Sequence, residues 1–187
     1  VLYNEKTGKY VLWFHADGPY GDSTSSYAKA MAGVAVADRP EGPFRLLGAS
    51  RLHCSEDYSG SEKGMARDMN VFQDDDGTAY ILYASEENAT LYISKLNEEY
   101  TDLSERENAV EGVDFSRNMV DSSREAPAMF KYQGKYYLMT SGCTGWEPNA
   151  AIYYTADSPL GPWQAMGNPC VGTESDTTFR TQSNCIF

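Results

Sequence analysis

The sequence predicts an all-β fold of the β-propeller type, and three observations predict it. Asp68, Glu125 and Gln182 stand 57 residues apart and then 57 again, so one structural unit repeats. Asp68 and Glu125 each lie nine residues before a glycine, Gly77 and Gly134, that opens the same aromatic strand pattern. The unit ends also match: Ala37-Asp38-Arg39-Pro40-Glu41-Gly42-Pro43-Phe44 and Ala156-Asp157-Ser158-Pro159-Leu160-Gly161-Pro162-Trp163 share Ala-Asp, a proline, Gly-Pro and an aromatic residue. Four antiparallel strands per unit of about 40 to 60 residues are the signature of a propeller blade.

Every unit opens with a hairpin. Gly8-Lys9-Tyr10-Val11-Leu12-Trp13, Gly77-Thr78-Ala79-Tyr80-Ile81-Leu82-Tyr83 and Gly134-Lys135-Tyr136-Tyr137-Leu138-Met139 are each a turn glycine followed by a β-branched and aromatic run. A second short apolar strand precedes each, at Val1-Leu2-Tyr3, Val71-Phe72 and Ala128-Met129-Phe130, which completes the hairpin signal. Gly33 to Ala37, Leu91 to Lys95 and Ala150 to Thr155 supply the third strands, and Phe44 to Leu47 and Trp163-Gln164-Ala165 begin fourth ones. Ala49 to Met65 links the first blade to the second. Asn97 to Ser123 links the second to the third; it is long and charged, and Glu98 to Glu107 reads as a turn of helix. Gly18 to Ser26 is a Gly/Ser/Asp insertion in the first blade, of the kind that shapes the mouth of a central pocket.

Propellers close into a ring, and this chain holds about three blades, over roughly 1–50, 66–110 and 124–170, plus the first strand of another over 180–187. It therefore reads as a fragment of a single propeller domain. The first-blade position equivalent to Asp68 falls just before Val1. The two open edges are unpaired strand surface, and the isolated piece is expected not to be fully active.

Composition narrows the partners. An aromatic content of 13% with 14 tyrosines suits a β-rich domain, and no apolar run is long enough to cross a membrane. The net charge of −12 argues against nucleic acid, which is bound by neutralising phosphates with Lys and Arg. An uncharged substrate fits better. Cys54, Cys143, Cys170 and Cys185 form no C-x-x-C pair and the histidines are His15 and His53 alone, which disfavours a zinc site. Cys143 and Cys170 lie in one blade, where a disulfide and free buried thiols are both compatible with the pattern. Asn88-Ala89-Thr90 fits the glycosylation sequon. Asp74-Asp75-Asp76-Gly77 fails calcium-loop spacing, because Phe72 and Tyr83 fall where carboxylates are required, and reads as a hairpin tip.

The repeating position carries the chemistry. Glycoside hydrolysis needs a protonated carboxylic acid at the leaving oxygen and a second group to hold or activate water, roughly 6.5 to 9.5 Å apart in inverting enzymes. Glu125, followed by Ala126-Pro127 with Met129 and Phe130 close by, is the better acid, and Asp68 is its neighbouring carboxylate. Gln182 is neutral, so it orients a water or a sugar hydroxyl.

Arg67-Asp68-Met69-Asn70-Val71-Phe72, Arg124-Glu125-Ala126-Pro127-Ala128-Met129-Phe130 and Ser141-Gly142-Cys143-Thr144-Gly145-Trp146-Glu147-Pro148-Asn149 resemble glycoside hydrolase family 43, a family of five-bladed β-propellers. The resemblance runs over the whole chain. The Tyr-Asn-Glu-Lys-Thr-Gly-Lys-Tyr opening, the Thr-Gly-Trp-x-Pro-Asn segment and the glutamine in place of a carboxylate are similar to the exo-β-1,3-galactanase branch. The resemblance implies that Glu125 is the general acid, that Asp68 modulates its pKa, and that Gln182 positions the water. It implies that the usual base, an aspartate of the first blade, lies outside this chain and is generally lacking in the galactanase branch. Tyr27, Thr144 and Asn149 match segments that line the galactose pocket, and Trp146 is a candidate stacking platform. No organic cofactor and no metal ligand set are implied, although some members hold an ion on the propeller axis. A secreted or periplasmic protein, monomeric when complete, is the further implication.

Plainer roles stand beside these. Asp68 fits a salt bridge to Arg67 or a turn cap, Trp146 fits packing between blades, Tyr27 fits an anchor for the insertion loop, and His15 fits a satisfied core or axis-lining histidine. The sequence thus points to an inverting glycosidase that releases galactose from β-1,3-galactan. An α-L-arabinofuranosidase or β-xylosidase of the same fold is the alternative, and a carbohydrate-binding propeller without catalysis is another.

Overall fold

The computed structural model describes residues 1–183. Twelve strands form three four-stranded antiparallel sheets, each a simple meander. The first sheet runs Leu2–Asn4 (β1), Lys9–Ala16 (β2), Met31–Ala37 (β3) and Arg45–Ser50 (β4); the second Met69–Gln73 (β5), Ala79–Ser85 (β6), Thr90–Lys95 (β7) and Phe115–Asn118 (β8); the third Arg124–Tyr132 (β9), Lys135–Gly142 (β10), Ile152–Ala156 (β11) and Gln164–Gly167 (β12). These are three propeller blades with strand order following chain order. Residues 184–187, which include Cys185 and most of the strand expected after Gln182, lie outside the described residues.

The middle blade is buried on both faces, which explains why β6 reads as an unbroken apolar run. Strand side chains alternate between faces. Ala79, Ile81 and Tyr83 pack with Val11, Trp13, Ala32 and Val34 of the first sheet, while Tyr80 and Leu82 pack with Met129, Tyr136, Leu138 and Tyr154 of the third. Tyr83 and Tyr92 stack at 5.6 Å within the first of these cores. Gly33 is required where it stands, because a Cβ there would come within 2.4 Å of the Phe14 ring that covers it from the paired strand. The Gly42-Pro43 and Gly161-Pro162 bonds of the repeated turn are both cis.

Two expectations are corrected. The stretch from Asn97 to Ser123 is not merely a linker, since it supplies β8, whose Phe115 is buried against Tyr92 and stacks on His53 at 4.6 Å. Glu98 to Glu107 forms turns and a bridge between Leu96 and Leu103, not a turn of helix. Asn97 explains this: its side-chain oxygen accepts from the backbone N–H of Thr101 at 2.9 Å and of Asp102 at 3.3 Å, a local closure that competes with helix. The acidic run is a hairpin tip, and Asp74 also ties blades together by accepting from Lys131 at 2.7 Å and from the Tyr136 hydroxyl at 2.5 Å.

Candidate functional site

The first strands of the second and third sheets carry the repeated polar position at one end, opposite the hairpin turns. Asp68 immediately precedes β5, and Glu125 is the second residue of β9. Glu125 pairs with Ser141 of β10, after which the register slips so that Ala126 and Pro127 face Thr140 before Ala128 pairs with Met139. Ala126 takes φ 49° at this bulge. Bulges of this kind re-aim a side chain, and here the affected neighbour is Glu125.

Gln182 closes on the bulge from the far end of the chain. Its Nε2 donates to Ser141 Oγ at 2.6 Å and to Glu125 Oε1 at 3.2 Å. Ser183 Oγ donates to the Ala126 carbonyl at 2.5 Å. On the other side, Asp68 Oδ2 accepts from the Ala126 backbone N–H at 3.2 Å. The three register-equivalent residues therefore meet around one peptide segment. Arg67 does not ion-pair with Asp68 but turns to Glu87 at 3.1 Å. Arg124 is buried and donates to Thr140 through Nε and Nη2, both at 2.9 Å, so it braces β9 from behind.

The loop after β10 is held by one amide. Asn149 Oδ1 accepts from Gly142 N–H at 2.7 Å, and its Nδ2 donates to the Gly142 carbonyl at 2.9 Å and to Thr144 Oγ1 at 2.7 Å. Thr144 in turn donates to the Glu147 carbonyl at 2.6 Å. Thr144 and Asn149 are thus engaged in shaping the loop. Trp146 at its tip is fully exposed, at 101% of its reference area, rather than packed between blades. A groove of about 190 Å³ runs between this loop and Gln182, lined by Ser141, Trp146, Pro148, Asn149, Arg180 and Gln182, with Asp68 and Glu125 outside its lining.

Tyr27 stands apart from that groove. It is exposed on the loop between β2 and β3, its carbonyl accepts from Arg67 at 3.4 Å, and it lines a recess with Tyr20, Glu62, Arg67 and Glu87. Two larger hollows, of about 640 and 600 Å³, lie at the hairpin end near Gly77 and beside Cys54, and neither contains Asp68, Glu125 or Gln182. His15 is neither core nor alone; its Nε2 lies 3.1 Å from Asp17 Oδ2. Cys54, Cys143 and Cys170 are free, so the Cys143–Cys170 pairing is not made, and Cys143 is exposed rather than buried. Within the sequon, Thr90 is fully buried and the Asn88 Oδ1 is out of solvent.

Sequence reasoning missed Ser141, whose hydroxyl accepts from Gln182 beside Glu125. The signal was present, since antiparallel pairing of the third hairpin places Ser141 opposite Glu125.

The model of glycosyl hydrolases family 43 matches residues 3–184. The chain belongs to family 43. Among curated relatives, it is 31% identical over 180 residues to a β-D-galactofuranosidase from Aspergillus niger, covering 91% of this chain and 46% of that protein. It is 30% identical over 200 residues to a β-xylosidase from Xylanibacter ruminicola, covering 90% of this chain and 56% of the other. The family 43 β-1,3-galactosidase BT3683, solved with galactodeoxynojirimycin, superposes with a TM-score of 0.83 at 36% identity over all of this chain and 61% of its own. An exo-β-1,3-galactanase from Clostridium thermocellum superposes at 0.78 with 32% identity, over 98% of this chain and 37% of its own. The chain spans about half the length of the curated family 43 relatives it matches.

Proposed function

We propose that this chain is part of the catalytic propeller of an inverting glycosidase that releases galactose from β-1,3-galactan. The observation that carries this reading is the contact of Gln182 Nε2 with Glu125 Oε1 at 3.2 Å, beside an Ala126 peptide that Asp68 holds. An acid, a second carboxylate and a carboxamide converge there from three repeats.

The hydrogen bonds support a role for each atom. Because Oε1 of Glu125 accepts from Gln182, the transferable proton sits on Oε2 and faces the leaving oxygen. As the glycosidic bond breaks, the carboxylate forming on Glu125 keeps the Gln182 donor, which stabilises the developing charge. Both hydrogens of the Gln182 amide are engaged, by Ser141 and Glu125, so its Oε1 is the atom left to accept from the attacking water or a sugar hydroxyl. Asp68 holds the Ala126 peptide next to the acid, which fixes where the Glu125 side chain starts. Trp146 offers an exposed ring to the apolar face of a pyranose further along the groove.

Galactose as the released sugar is supported by the galactosidase and galactanase neighbours in the preceding section. A β-xylosidase or arabinosidase activity is the second reading, supported by curated relatives that carry those names. The deciding experiment is sugar release from β-1,3-galactan, arabinosides and xylosides by the full-length protein and its Glu125→Gln variant. Galactose release that collapses in the variant supports the galactanase reading. Release of pentose instead replaces it, and binding without release by the wild type points to a lectin-like propeller.

A further inference from the structure

Asp17, Glu86 and Cys143 each lie nine residues after the turn glycine of their hairpin, Gly8, Gly77 and Gly134, and so occupy one equivalent position just beyond the second strand. Two of the three carry a carboxylate with several polar neighbours. Asp17 Oδ1 accepts the backbone N–H of Gly18 and Ala30 at 2.9 and 3.1 Å, with His15 on the other oxygen. Glu86 takes Arg117 at 2.8 Å on each oxygen and the Tyr92 hydroxyl at 2.6 Å. The third repeat replaces the carboxylate by a thiol, at the blade that carries Glu125.

Register puts that thiol beside the acid. Ser141 pairs with Glu125 and Gly142 with Arg124, and Cys143 N–H donates to the Ser123 carbonyl at 2.9 Å. Cys143 and Glu125 are therefore diagonal neighbours on one face of the hairpin, within side-chain reach. The groups that act on the thiol are the Glu125 carboxylate, the Asp68 carboxylate and the Asn88 side chain. Asn88 is delivered by a turn of three consecutive left-handed residues, Glu86, Glu87 and Asn88, at φ 51°, 57° and 65°. Such a turn persists only when its surroundings enforce it. The buried Glu86–Arg117 pair anchors one end, and the Ser123 N–H donating to the Ala89 carbonyl at 2.9 Å ties the other to the segment leading into Glu125. Asn88 Oδ1 is buried and has no hydrogen-bond partner.

We propose that Cys143 is a positioning residue for Glu125, donating its S–H to the Glu125 carboxyl group while Asn88 holds the thiol in place. The inference rests on the reading of Glu125 as the acid. Although the residue is exposed overall, partial desolvation of the thiol, then the interaction with Glu125 and the charges of Glu125 and Asp68, push it up from its ordinary range, so it keeps its proton and remains a donor. Gln182 and Cys143 then bracket the carboxyl with two donors, while Arg124 behind it is engaged by Thr140.

Two measurements on the full-length protein test this. In the first, the pH–rate profiles of Cys143→Ala and Cys143→Ser are compared with wild type. Loss of a donor to the carboxylate form favours the protonated form, so the alkaline limb moves up by about half a pH unit in the alanine variant. Serine, which restores a donor, leaves the limb near its wild-type position. Equal limbs for wild type and alanine overturn the proposal. The second measurement needs no turnover: iodoacetamide labelling of Cys143 at pH 8, mapped by mass spectrometry, in wild type and Glu125→Gln. Removing the opposing charge speeds labelling by about twofold or more. An unchanged rate overturns the contact even if the sugar specificity proposed above proves wrong, and a faster rate sustains it in that same case.

Discussion

Gln182 Nε2 bridges two residues of one hairpin, lying 2.6 Å from Ser141 Oγ and 3.2 Å from Glu125 Oε1. Ser141 and Glu125 are directly paired across β10 and β9, so the amide sits over a rigid two-strand platform. On the proposed reading, replacing Gln182 by alanine removes the donor to the forming carboxylate together with the acceptor for water. The expected outcome is a fall in kcat of about 10²-fold or more with KM changed far less, because both interactions strengthen in the transition state. Steady-state kinetics on galactan oligosaccharides check it, and a change confined to KM would place Gln182 in ground-state binding alone.

Trp146 and Asn149 separate binding from stability. Trp146 is fully exposed and holds nothing together, whereas Asn149 makes three hydrogen bonds that close the loop carrying it. Trp146→Ala is expected to weaken oligosaccharide binding by about 0.5–1.5 kcal/mol with the melting temperature unchanged. Asn149→Ala weakens binding as well and also lowers stability by about 1–3 kcal/mol, since it leaves the Gly142 peptide without its partners. Calorimetry of both variants with β-1,3-galactotriose distinguishes the two effects; equal melting temperatures would deny Asn149 its clamp role.

The repeat was legible because the second and third hairpins each have a turn glycine nine residues after the polar position, and a one-residue error there would have turned every strand inside out. Glu125, Asp68 and Gln182 could be aligned by counting alone. What counting could not reach was contact between units. β8 escaped notice because Phe115-Ser116-Arg117-Asn118 has one apolar residue, and its burial comes from stacking on His53 of another segment. The aim of Glu125 depends on the left-handed Ala126, which no residue type announces, since alanine before proline ordinarily signals extended chain. Thr144 and Asn149 match segments that line a galactose pocket, and the hydrogen bond between them, which shapes the loop, is a contact a sequence pattern does not reveal.

Glu86 and Arg117 form the buried ion pair of the middle blade, with side chains 2% and 15% exposed. Burial alone would raise the Glu86 carboxyl, but hydrogen bonds from Arg117, Tyr92 and Thr90 outweigh it and hold the group below its ordinary range. A depressed carboxyl contributes stability that is present above the unfolded value of 4.5 and lost as pH falls through the lower folded value. Glu86→Gln is therefore expected to cost about 3–5 kcal/mol at pH 7, because Arg117 stays buried without its counter-charge. Adding Arg117→Met should recover much of that loss. Urea melts of the single and double variants check this, and a double variant no better than the single one would show that the pair acts through geometry rather than charge.

His53 sets a second pH dependence at milder acidity. It is 6% exposed, with Nδ1 2.9 Å from Ser94 Oγ and Nε2 2.7 Å from the Glu105 carbonyl. The carbonyl can only accept, so Nε2 carries the proton and Nδ1 accepts from the serine, which fixes one neutral tautomer. Burial pushes the imidazole below its ordinary 6.5, with Arg106 acting in the same direction. The unfolded chain then binds a proton at higher pH than the folded one. Stability from this group is complete above pH 6.5 and declines as pH falls from there through the folded value, with a slope of up to about 1.4 kcal/mol per pH unit. His53→Gln cannot titrate, so its stability should be lower at pH 7.5 yet flatter between pH 7 and 5. Chemical denaturation across that range measures both slopes, and parallel curves for the two proteins would show that the folded state takes up the proton as readily as the unfolded chain.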